Sequence, residues 1–277
     1  MEITNGFIPK TLNEALAIRK NHTVIPYGGG TDLMVAHKPA GDFLFLHCIS
    51  ELKQITIDDT YICFGAACTF TETTNSPHCP PILREAIAQI AAPAIRNLGT
   101  LGGNIGNGSA KADSVLIFFA LDAVLRLQSA DNERMVSIHD FYLGRKKLDL
   151  KADELITEIC IPKQIPNRHT YHKIGARAAL AISRLSFAGL RSIENDKITA
   201  VQTAFGAIED VIVRKPKVDQ MLIGATVSDL ENGLGDAYLK AYADALNPID
   251  GRISAAYRKQ VCMNLLGDFL DEVKRGA

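Results

Sequence analysis

The 277-residue sequence contains no tryptophan and has no excess of either charge, with 30 Lys plus Arg against 31 Asp plus Glu. A net charge of −1 provides no long-range attraction to nucleic acid or to anionic lipid. Apolar runs such as 115–120 are far shorter than the roughly 20 residues of a transmembrane helix. Residues 1–10 lack the basic start and apolar run of a signal peptide. We therefore expect a cytoplasmic protein that binds neither nucleic acid nor membrane.

The six cysteines include no CxxC pair and no histidine partners at zinc-finger spacing. Cys63, Cys68 and Cys79 lie closest in sequence, but their spacing matches neither common ferredoxin pattern. With 47% hydrophobic residues, a chain of this length buries a core that needs neither disulfides nor a structural metal. We expect each cysteine to be a small core residue and predict no metal site.

Strands grouped before helices predict an α+β second half of the chain, and residues 163–169 are the best linker candidate. The capping box Thr11–Glu14 predicts a helix start, and a second helix is expected over 81–91. In the first half we expect strands at 24–27, 43–48, 61–66, 124–128, 135–138 and 154–161, and a helix at 115–121. In the second half we expect strands at 171–174, 181–193 and 198–207, followed by helices at 217–224, 228–246 and 254–274.

Two glycine-rich segments are the strongest functional signal. The first, Gly28–Leu33, follows a short apolar strand, and residues 33–36 are expected to return to the core. The second runs from Gly99 to Ser109. Glycine lets backbone N–H groups approach an anion closely, and a neighbouring hydroxyl adds a donor. Two such segments would clamp the two phosphates of one dinucleotide, whereas the alternative interpretation is a pair of tight turns.

Neither segment carries a familiar nucleotide-binding fingerprint. Leu33 and Lys111 stand where the last glycine of G-x-G-x-x-G would be required, which disfavours a Rossmann site for a nicotinamide cofactor. The sequence also lacks G-x-x-x-x-G-K-[ST], so a nucleotide triphosphatase has no support. Its histidines form neither an H-E-x-x-H motif nor part of a serine-nucleophile motif.

The two segments resemble paired motifs of one protein family. Ile25–Leu33 resembles A-G-G-T-D-L, and Thr100–Ile105 followed by Ala112-Asp113 resembles T-[LI]-G-G-N-I with a small residue and Asp. Both motifs are typical of the FAD-binding subunit of molybdenum hydroxylases, the xanthine dehydrogenase and carbon monoxide dehydrogenase medium-chain family. Residues 171–174 and 254–258 resemble later landmarks of the same family, so the resemblance covers essentially the whole chain.

The resemblance implies a vanillyl-alcohol-oxidase (PCMH)-type FAD-binding domain over residues 1–165, with two lobes at about 1–55 and 56–165. A small α+β C-terminal domain of the CO dehydrogenase flavoprotein type would occupy 166–277. It also implies that residues 28–33 and 100–104 cradle the FAD pyrophosphate through backbone N–H groups. Thr31, Thr100 and Asn104 would add side-chain hydrogen bonds.

Other positions are implied by the same resemblance. Asn107 and Asp113 would reach FAD hydroxyls or nearby waters, the strand at 154–161 would pack against the flavin, and Lys173 would reach the cofactor. Because the flavin carries the chemistry, no catalytic side chain is expected. The full set of implied FAD-binding residues is Ile25, Pro26, Tyr27, Gly28, Gly29, Gly30, Thr31, Asp32, Leu33, Ala91, Thr100, Gly102, Gly103, Asn104, Gly106, Asn107, Asp113, Leu155, Ile156 and Lys173.

Some positions stay open or depart from the family pattern. Lys173 either contacts the flavin or ends a strand in solvent. Arg96 either positions the second segment, faces a partner or forms a structural ion pair. Ala181-Ile182-Ser183 stands where relatives often have Asp-Ile-Ala, so a polar contact of that Asp has no counterpart here. Gly106 and Asn107 replace other small residues, which would change the flavin environment more than phosphate binding.

The resemblance implies an oxidoreductase subunit in a heterotrimer, with a large molybdenum-cofactor subunit and a small [2Fe–2S] subunit. Electrons would pass from the clusters through FAD to NAD, and a purine such as xanthine would be the substrate of the complex. One alternative is a free-standing flavin oxidase, although covalent members of that superfamily usually have a histidine near the first segment, and residues 28–33 contain none. A non-catalytic nucleotide-binding scaffold is a third hypothesis.

Overall fold

The computed structural model describes residues 2–35 and 40–275. In chain order its strands are β1 (Glu2–Phe7), β2 (Ile25–Tyr27), β3 (Ala40–Phe45), β4 (Ile55–Ile57), β5 (Tyr61–Gly65), β6 (Val124–Gln128), β7 (Glu133–Ser137), β8 (Tyr142–Gly144), β9 (Lys147–Leu148), β10 (Leu155–Pro162), β11 (Arg168–Ile174), β12 (Leu185–Glu194), β13 (Lys197–Gly206) and β14 (Val213–Arg214). Its α-helices are α1 (Leu12–Asn21), α2 (Phe70–Asn75), α3 (Pro81–Ala88), α4 (Pro93–Arg96), α5 (Leu101–Gly106), α6 (Asp113–Ala120), α7 (Ile138–Phe141), α8 (Pro216–Asp219), α9 (Val227–Asp229), α10 (Gly235–Ala245) and α11 (Ala255–Lys274). Short 3-10 turns occupy Ser50–Lys53 and Gln220–Leu222, and a π-helical turn occupies Leu230–Leu234.

The chain divides into two compact units. The first contains Met1–Ser109 and Asp122–Lys163, and the second contains Ala110–Leu121 and Gln164–Ala277. Helix α6 therefore packs within the second unit, although the strands before and after it in sequence belong to the first. Its residues are all buried, so it forms a core element rather than a surface amphipathic helix.

The first unit contains two main sheets. Strands β1, β3 and β2 form a parallel sheet in that order, and β4, β5, β10, β6 and β7 form an antiparallel one. Thr11 begins α1 by accepting a hydrogen bond from the N–H of Glu14, as the capping box predicts. Buried Ala15 and Leu16 of α1 pack in the same cluster as Leu44 of β3, which anchors the helix on the parallel sheet.

The second unit is built on an antiparallel meander, β11-β12-β13-β14. Asn195 and Asp196 connect β12 to β13 with φ values of 50° and 62°, a left-handed turn that suits these residue types. The strand expected at 181–193 begins later, at Leu185. The single helix expected at 228–246 is interrupted near Gly233, where φ is 105°, so the chain turns between α9 and α10.

Two cysteines differ from the sequence-based expectation. Cys63 and Cys160 lie directly opposite each other in β5 and β10 and form a disulfide. Both are buried, as expected for small core residues, but they are not the free thiols that the sequence suggested, because strand register joins positions 97 residues apart. Cys68 and Cys79 are buried thiols, and burial raises the pKa of each to about 11, which keeps them protonated and unreactive.

No helix among residues 2–35 and 40–275 combines the length and apolar character that crossing a membrane requires.

Candidate cofactor site

The first glycine-rich segment presents a row of backbone amide donors. Among the described residues, the amide N–H groups of residues 28–33 have no hydrogen-bond acceptor. The segment is closed on its C-terminal side by turns in which the amides of Met34 and Val35 donate to the carbonyls of Gly30 and Asp32. Unused amides in a glycine-rich bend form a donor set suited to phosphate oxygens. The residues present therefore fit the diphosphate of a dinucleotide.

The two glycine-rich segments are in direct contact. A Cβ atom on Gly28 would lie 2.6 Å from the hydroxyl oxygen of Thr100, and one on Gly29 would lie 1.6 Å from the carbonyl oxygen of Leu98. Both distances are far shorter than any real Cβ contact, so neither position has room for a side chain. These two glycines allow the segments to approach each other.

Gly30 meets a different constraint. Its φ of +68° favours glycine, and a Cβ there would lie 2.0 Å from the hydroxyl oxygen of Tyr27. The Tyr27 ring packs against Phe45, with ring centroids 5.0 Å apart, and makes an edge contact with the ring of Phe43. The aromatic residues of the parallel sheet thus fix Tyr27 beside the first glycine-rich segment, where its ring lies against Gly30.

The second glycine-rich segment contains helix α5, so it is not a loop like the first segment. Thr100 caps α5 by accepting a hydrogen bond from the N–H of Gly103, and its carbonyl accepts one from the N–H of Asn104. The amides of Leu101 and Gly102 donate to the carbonyls of Cys68 and Ala66. The backbone donors at the start of this helix are therefore already used by the protein, unlike those of residues 28–33.

One face of α5 is nearly bare of side chains. Gly103 and Gly106 lie three residues apart on this face and are exposed. Among the described residues, a Cβ on Gly106 would meet only Ile156, at 3.9 Å, and one on Gly103 would meet only the Thr100 hydroxyl, at 2.8 Å. The face continues to Asn107, whose backbone and side-chain oxygens both accept hydrogen bonds from the Lys146 ammonium at 2.6 Å. A flat surface with polar atoms at one end can accommodate an extended ligand.

Leu155 and Ile156 of β10 face different environments. Leu155 is buried in the cluster that contains Leu16 and Leu44, whereas Ile156 borders the bare face of α5. Glu154, just before the strand, accepts hydrogen bonds from Arg134 at 2.7 and 2.8 Å. These bonds lower the pKa of the Glu154 carboxyl. The pair fixes the start of β10 and so the position of Ile156.

Arg96 binds backbone carbonyls. One of its terminal nitrogens lies 2.7 Å from the carbonyl oxygen of Ile90 and 3.0 Å from that of Ala91. Ala91 has a left-handed φ of 43°, a conformation that costs energy for a residue with a Cβ. Arg96 therefore holds the turn that leads into α4; these two bonds are made neither to the second glycine-rich segment nor to a carboxylate, so they match none of the three alternatives.

Asp113 and Lys173 belong to the second unit and bind each other. The Lys173 ammonium lies 2.7 Å from Oδ2 of Asp113, and the two side chains are 8% and 7% exposed. The hydroxyl of Ser183 donates to Oδ1 of Asp113 at 2.5 Å. Lys173 therefore does not end a strand in solvent, and both implied FAD contacts are members of one buried ion pair.

Several contacts were not foreseen from the sequence. Lys146, Arg134 and Ser183 each hold an implied site residue or the strand that carries it, yet no motif marks them. Met34 and Val35 are 54% and 86% exposed, so the expected return to the core after the first segment is wrong at these positions. Ala36, the last residue of that expectation, lies outside the described residues.

Comparison with protein families identifies the class of the chain. Residues 3–164 match the FAD binding domain in molybdopterin dehydrogenase, and residues 170–273 match the CO dehydrogenase flavoprotein C-terminal domain. The chain belongs to this family of flavoprotein subunits, which are oxidoreductases, and its own cofactor is FAD. The resemblance inferred from the two glycine-rich motifs is confirmed.

Named relatives agree with this assignment. The chain is 29% identical over 293 aligned residues to the nicotinate dehydrogenase FAD-subunit of Eubacterium barkeri, covering 98% of this chain and 97% of the relative. It is 32% identical to the putative xanthine dehydrogenase FAD-binding subunit XdhB of Escherichia coli K12, covering 69% of each. Quinoline 2-oxidoreductase from Pseudomonas putida 86 has a similar fold, with a TM-score of 0.89 at 22% identity over 100% of this chain and 98% of that one. The predicted α+β fold is confirmed.

Proposed function

We propose that this chain is the electron-transfer subunit of a molybdenum-dependent hydroxylase, in a heterotrimer with a large molybdenum-cofactor subunit and a small [2Fe–2S] subunit. Its FAD would connect the clusters of the small subunit to NAD. The proposal rests on family membership and on one structural observation: the amides of residues 28–33 have no acceptor among the described residues, and they lie beside the bare face of α5.

FAD, when bound, supplies both one-electron and two-electron redox chemistry. In our proposal the amides of residues 28–33 donate to its phosphate oxygens, with Thr31 and Thr100 adding hydroxyl contacts. Gly103 and Gly106 let the cofactor approach the helix backbone, and Ile156 excludes water from that side. The amides of residues 101–104 would not bind phosphate without losing bonds to the protein, so the donor set we propose is narrower than the one implied by the motifs.

Lys173 and Asp113 complete the proposed set. We also retain Ile25, Pro26, Tyr27, Asp32, Ala91, Asn104 and Asn107 as proposed cofactor contacts. No side chain of this chain is proposed to transfer a proton to a substrate.

For the substrate of the complex we propose a purine, supported by the 32% identity to a xanthine dehydrogenase subunit. Nicotinate is the second candidate, since the nicotinate dehydrogenase subunit aligns over nearly the whole chain. Both are nitrogen heterocycles that a molybdenum hydroxylase would oxidise. Either substrate would be oxidised in the partner subunit rather than in this chain. Only an assay of the complete complex therefore distinguishes a purine substrate from nicotinate.

Co-purification of the tagged chain from its native source tests the assembly. We expect two further chains, one with molybdenum and one with iron–sulfur absorbance, and oxidation of xanthine or hypoxanthine coupled to NAD reduction. Nicotinate oxidation without purine oxidation would replace the purine proposal. Recovery of the chain alone, fully active on an alcohol, would instead favour the free-standing flavin oxidase.

Titration of the purified flavin-loaded chain with NADH tests the nucleotide partner. We expect the yellow flavin absorbance to bleach and to return on admission of an oxidant. A chain that binds FAD but never bleaches would contradict NAD as the acceptor. Failure to bind flavin at all would support the scaffold hypothesis.

A further inference from the structure

The disulfide-bonded cysteines share one face of the antiparallel sheet with an acidic side chain. Cys63 and Cys160 lie directly opposite each other in β5 and β10, and Glu158 stands two residues before Cys160 on β10. Because side chains alternate along a strand, Glu158 and Cys160 point to the same face. The two sulfur atoms and one carboxylate oxygen of Glu158 all lie within 4.8 Å of one another. All three residues belong to the first compact unit.

The Glu158 carboxylate is held in place from the neighbouring strand β6. Nε of Arg126 donates to Oε2 of Glu158 at 2.7 Å, and a terminal nitrogen of the same guanidinium binds Glu133 of β7. A carboxylate that binds a metal ion is commonly oriented by a hydrogen bond of this kind from a second residue. Arg126 therefore fixes Glu158 beside the two sulfur atoms.

This face of the sheet borders a cavity of about 310 Å³. Its lining includes Cys63, Glu158, Arg126 and Thr157. Cys160 is fully buried, whereas Cys63 is 5% exposed. Since one water molecule takes up roughly 30 Å³, a cavity of this size admits a hydrated ion or a small reductant to the sulfur of Cys63.

The three side chains offer a donor set that suits zinc. Thiolate sulfur and carboxylate oxygen both bind Zn²⁺ in tetrahedral sites, in which water can complete the coordination. With Zn–S bonds of about 2.3 Å, two sulfur ligands of one tetrahedral ion lie roughly 3.8 Å apart. Two sulfurs joined in a disulfide cannot reach that separation. Once the S–S bond is opened, rotation about the Cα–Cβ bonds of the two cysteines can provide it.

We propose that Cys63, Cys160 and Glu158 form a zinc site when the disulfide is reduced, with a water molecule from the cavity as the fourth ligand. Reduction by a dithiol breaks the S–S bond of the pair: the reductant is oxidised to a disulfide, and two electrons and two protons pass to the cysteines. Zinc then displaces both protons to solvent. Its two positive charges and that of Arg126 balance two thiolates and one carboxylate.

The site makes the cross-link between β5 and β10 independent of redox state. The strands are joined by the S–S bond when the cysteines are oxidised and by zinc when they are reduced. Oxidation of the pair by a second disulfide, through exchange in the reverse direction, releases the ion. This inference goes beyond the proposed electron-transfer function and does not depend on FAD binding.

The test begins with the full-length chain, reduced without oxygen by a phosphine, which offers no thiol to the metal, and freed of reductant by gel filtration. Zinc is added, and the ion that stays with the chain after a second filtration is measured by metal analysis. A parallel sample receives Co²⁺, because thiolate ligands give cobalt an intense charge-transfer absorbance. We expect one ion per reduced chain, the thiolate–cobalt absorbance, and no bound ion in the oxidised chain.

Substitutions of the three ligands test the assignment of the site. Cys63→Ser and Cys160→Ser should each abolish stoichiometric zinc binding and the thiolate–cobalt absorbance. Glu158→Gln keeps both cysteines and should weaken zinc binding by at least about tenfold, since even an outer-shell partner of a ligand contributes that much.

Two variants serve as matched controls. Glu133→Gln removes from the same cavity a carboxylate that binds Arg126 but is not part of the cluster. Cys68→Ser removes a buried thiol of the same unit that lies outside the cluster. Both variants should bind zinc as the wild type does.

Three results would overturn the inference: a reduced wild-type chain that binds no zinc, equal binding by the oxidised chain, or equal affinity in Glu158→Gln. Loss of binding in Cys68→Ser would overturn it as well. If the cysteine variants do not fold, Glu158→Gln still decides, because it leaves both thiols and their disulfide in place. None of these measurements requires flavin, so their failure is distinguishable from failure of the proposed function.

Discussion

The two glycine-rich segments differ in what their backbone donors do. Residues 28–33 have amides without acceptors among the described residues, whereas the amides of residues 101–104 bind Ala66, Cys68 and Thr100. The glycines of the two segments also have different structural roles. Gly29 makes room for the carbonyl of Leu98, while Gly103 and Gly106 leave a bare helix face. The two segments have similar compositions but different properties. Residues 28–33 are suited to donating hydrogen bonds to a ligand, whereas the bare face of α5 is suited to close approach by one.

This difference shows why glycine content alone is an ambiguous signal. A glycine is required where a backbone is approached closely, and the approaching group can be another part of the protein or a ligand. At Gly28, Gly29 and Gly102 the approaching atoms belong to the protein itself. At Gly106 a Cβ would meet only the end of Ile156 within the described part of the chain, so packing against these residues does not explain the glycine.

The largest effect is expected where the segments touch. Gly29→Ala would place a Cβ 1.6 Å from the Leu98 carbonyl oxygen, so the segments must separate. We expect the free energy of unfolding to fall by about 3 kcal/mol, the upper end of typical overpacking costs, with loss of FAD binding. Urea unfolding measures the first and flavin content the second. Wild-type stability in this variant would show that the segments are not packed as described.

A substitution on the bare face should separate binding from folding. Gly103→Val would project a branched side chain from the exposed face of α5, where the Thr100 hydroxyl is the one near neighbour that the described residues offer. We expect purified protein that is folded by circular dichroism but lacks FAD, with a stability loss of about 1 kcal/mol because the new side chain crowds the Thr100 cap. Full flavin occupancy in Gly103→Val would refute our placement of the cofactor along α5.

The smallest effect is expected at Gly106. Gly106→Ala adds a methyl group 3.9 Å from Ile156, an ordinary contact, within a helix that alanine favours. We expect the free energy of unfolding without FAD to rise by about 0.5 to 1 kcal/mol, while FAD binding weakens. Thermal unfolding with and without FAD measures both quantities. A variant that is more stable and binds FAD as tightly as wild type would show that the cofactor does not contact Gly106.

Much of the architecture was predictable because local patterns agreed with the fold. Thr11 begins α1, Asn195 and Asp196 form the turn between β12 and β13, and β6 has the predicted bounds. Two predictions failed for one reason. The amides of residues 101–104 form a helix start despite low helix propensity, and Cys63 pairs with Cys160, because neighbours distant in sequence supply the partners.

The sequence alone determined the family and the cofactor class, because two separated glycine-rich motifs in the right order are more specific than a single glycine turn. The sequence also predicted most helices and strands, because the spacing of apolar residues along each element indicates which of its faces is buried. Only tertiary structure decided which glycine amides remain available, that α6 joins the second unit, and that Asp113 binds both Lys173 and Ser183. Hydrogen-bond satisfaction and ion pairing depend on groups far apart along the chain, and no local pattern contains them.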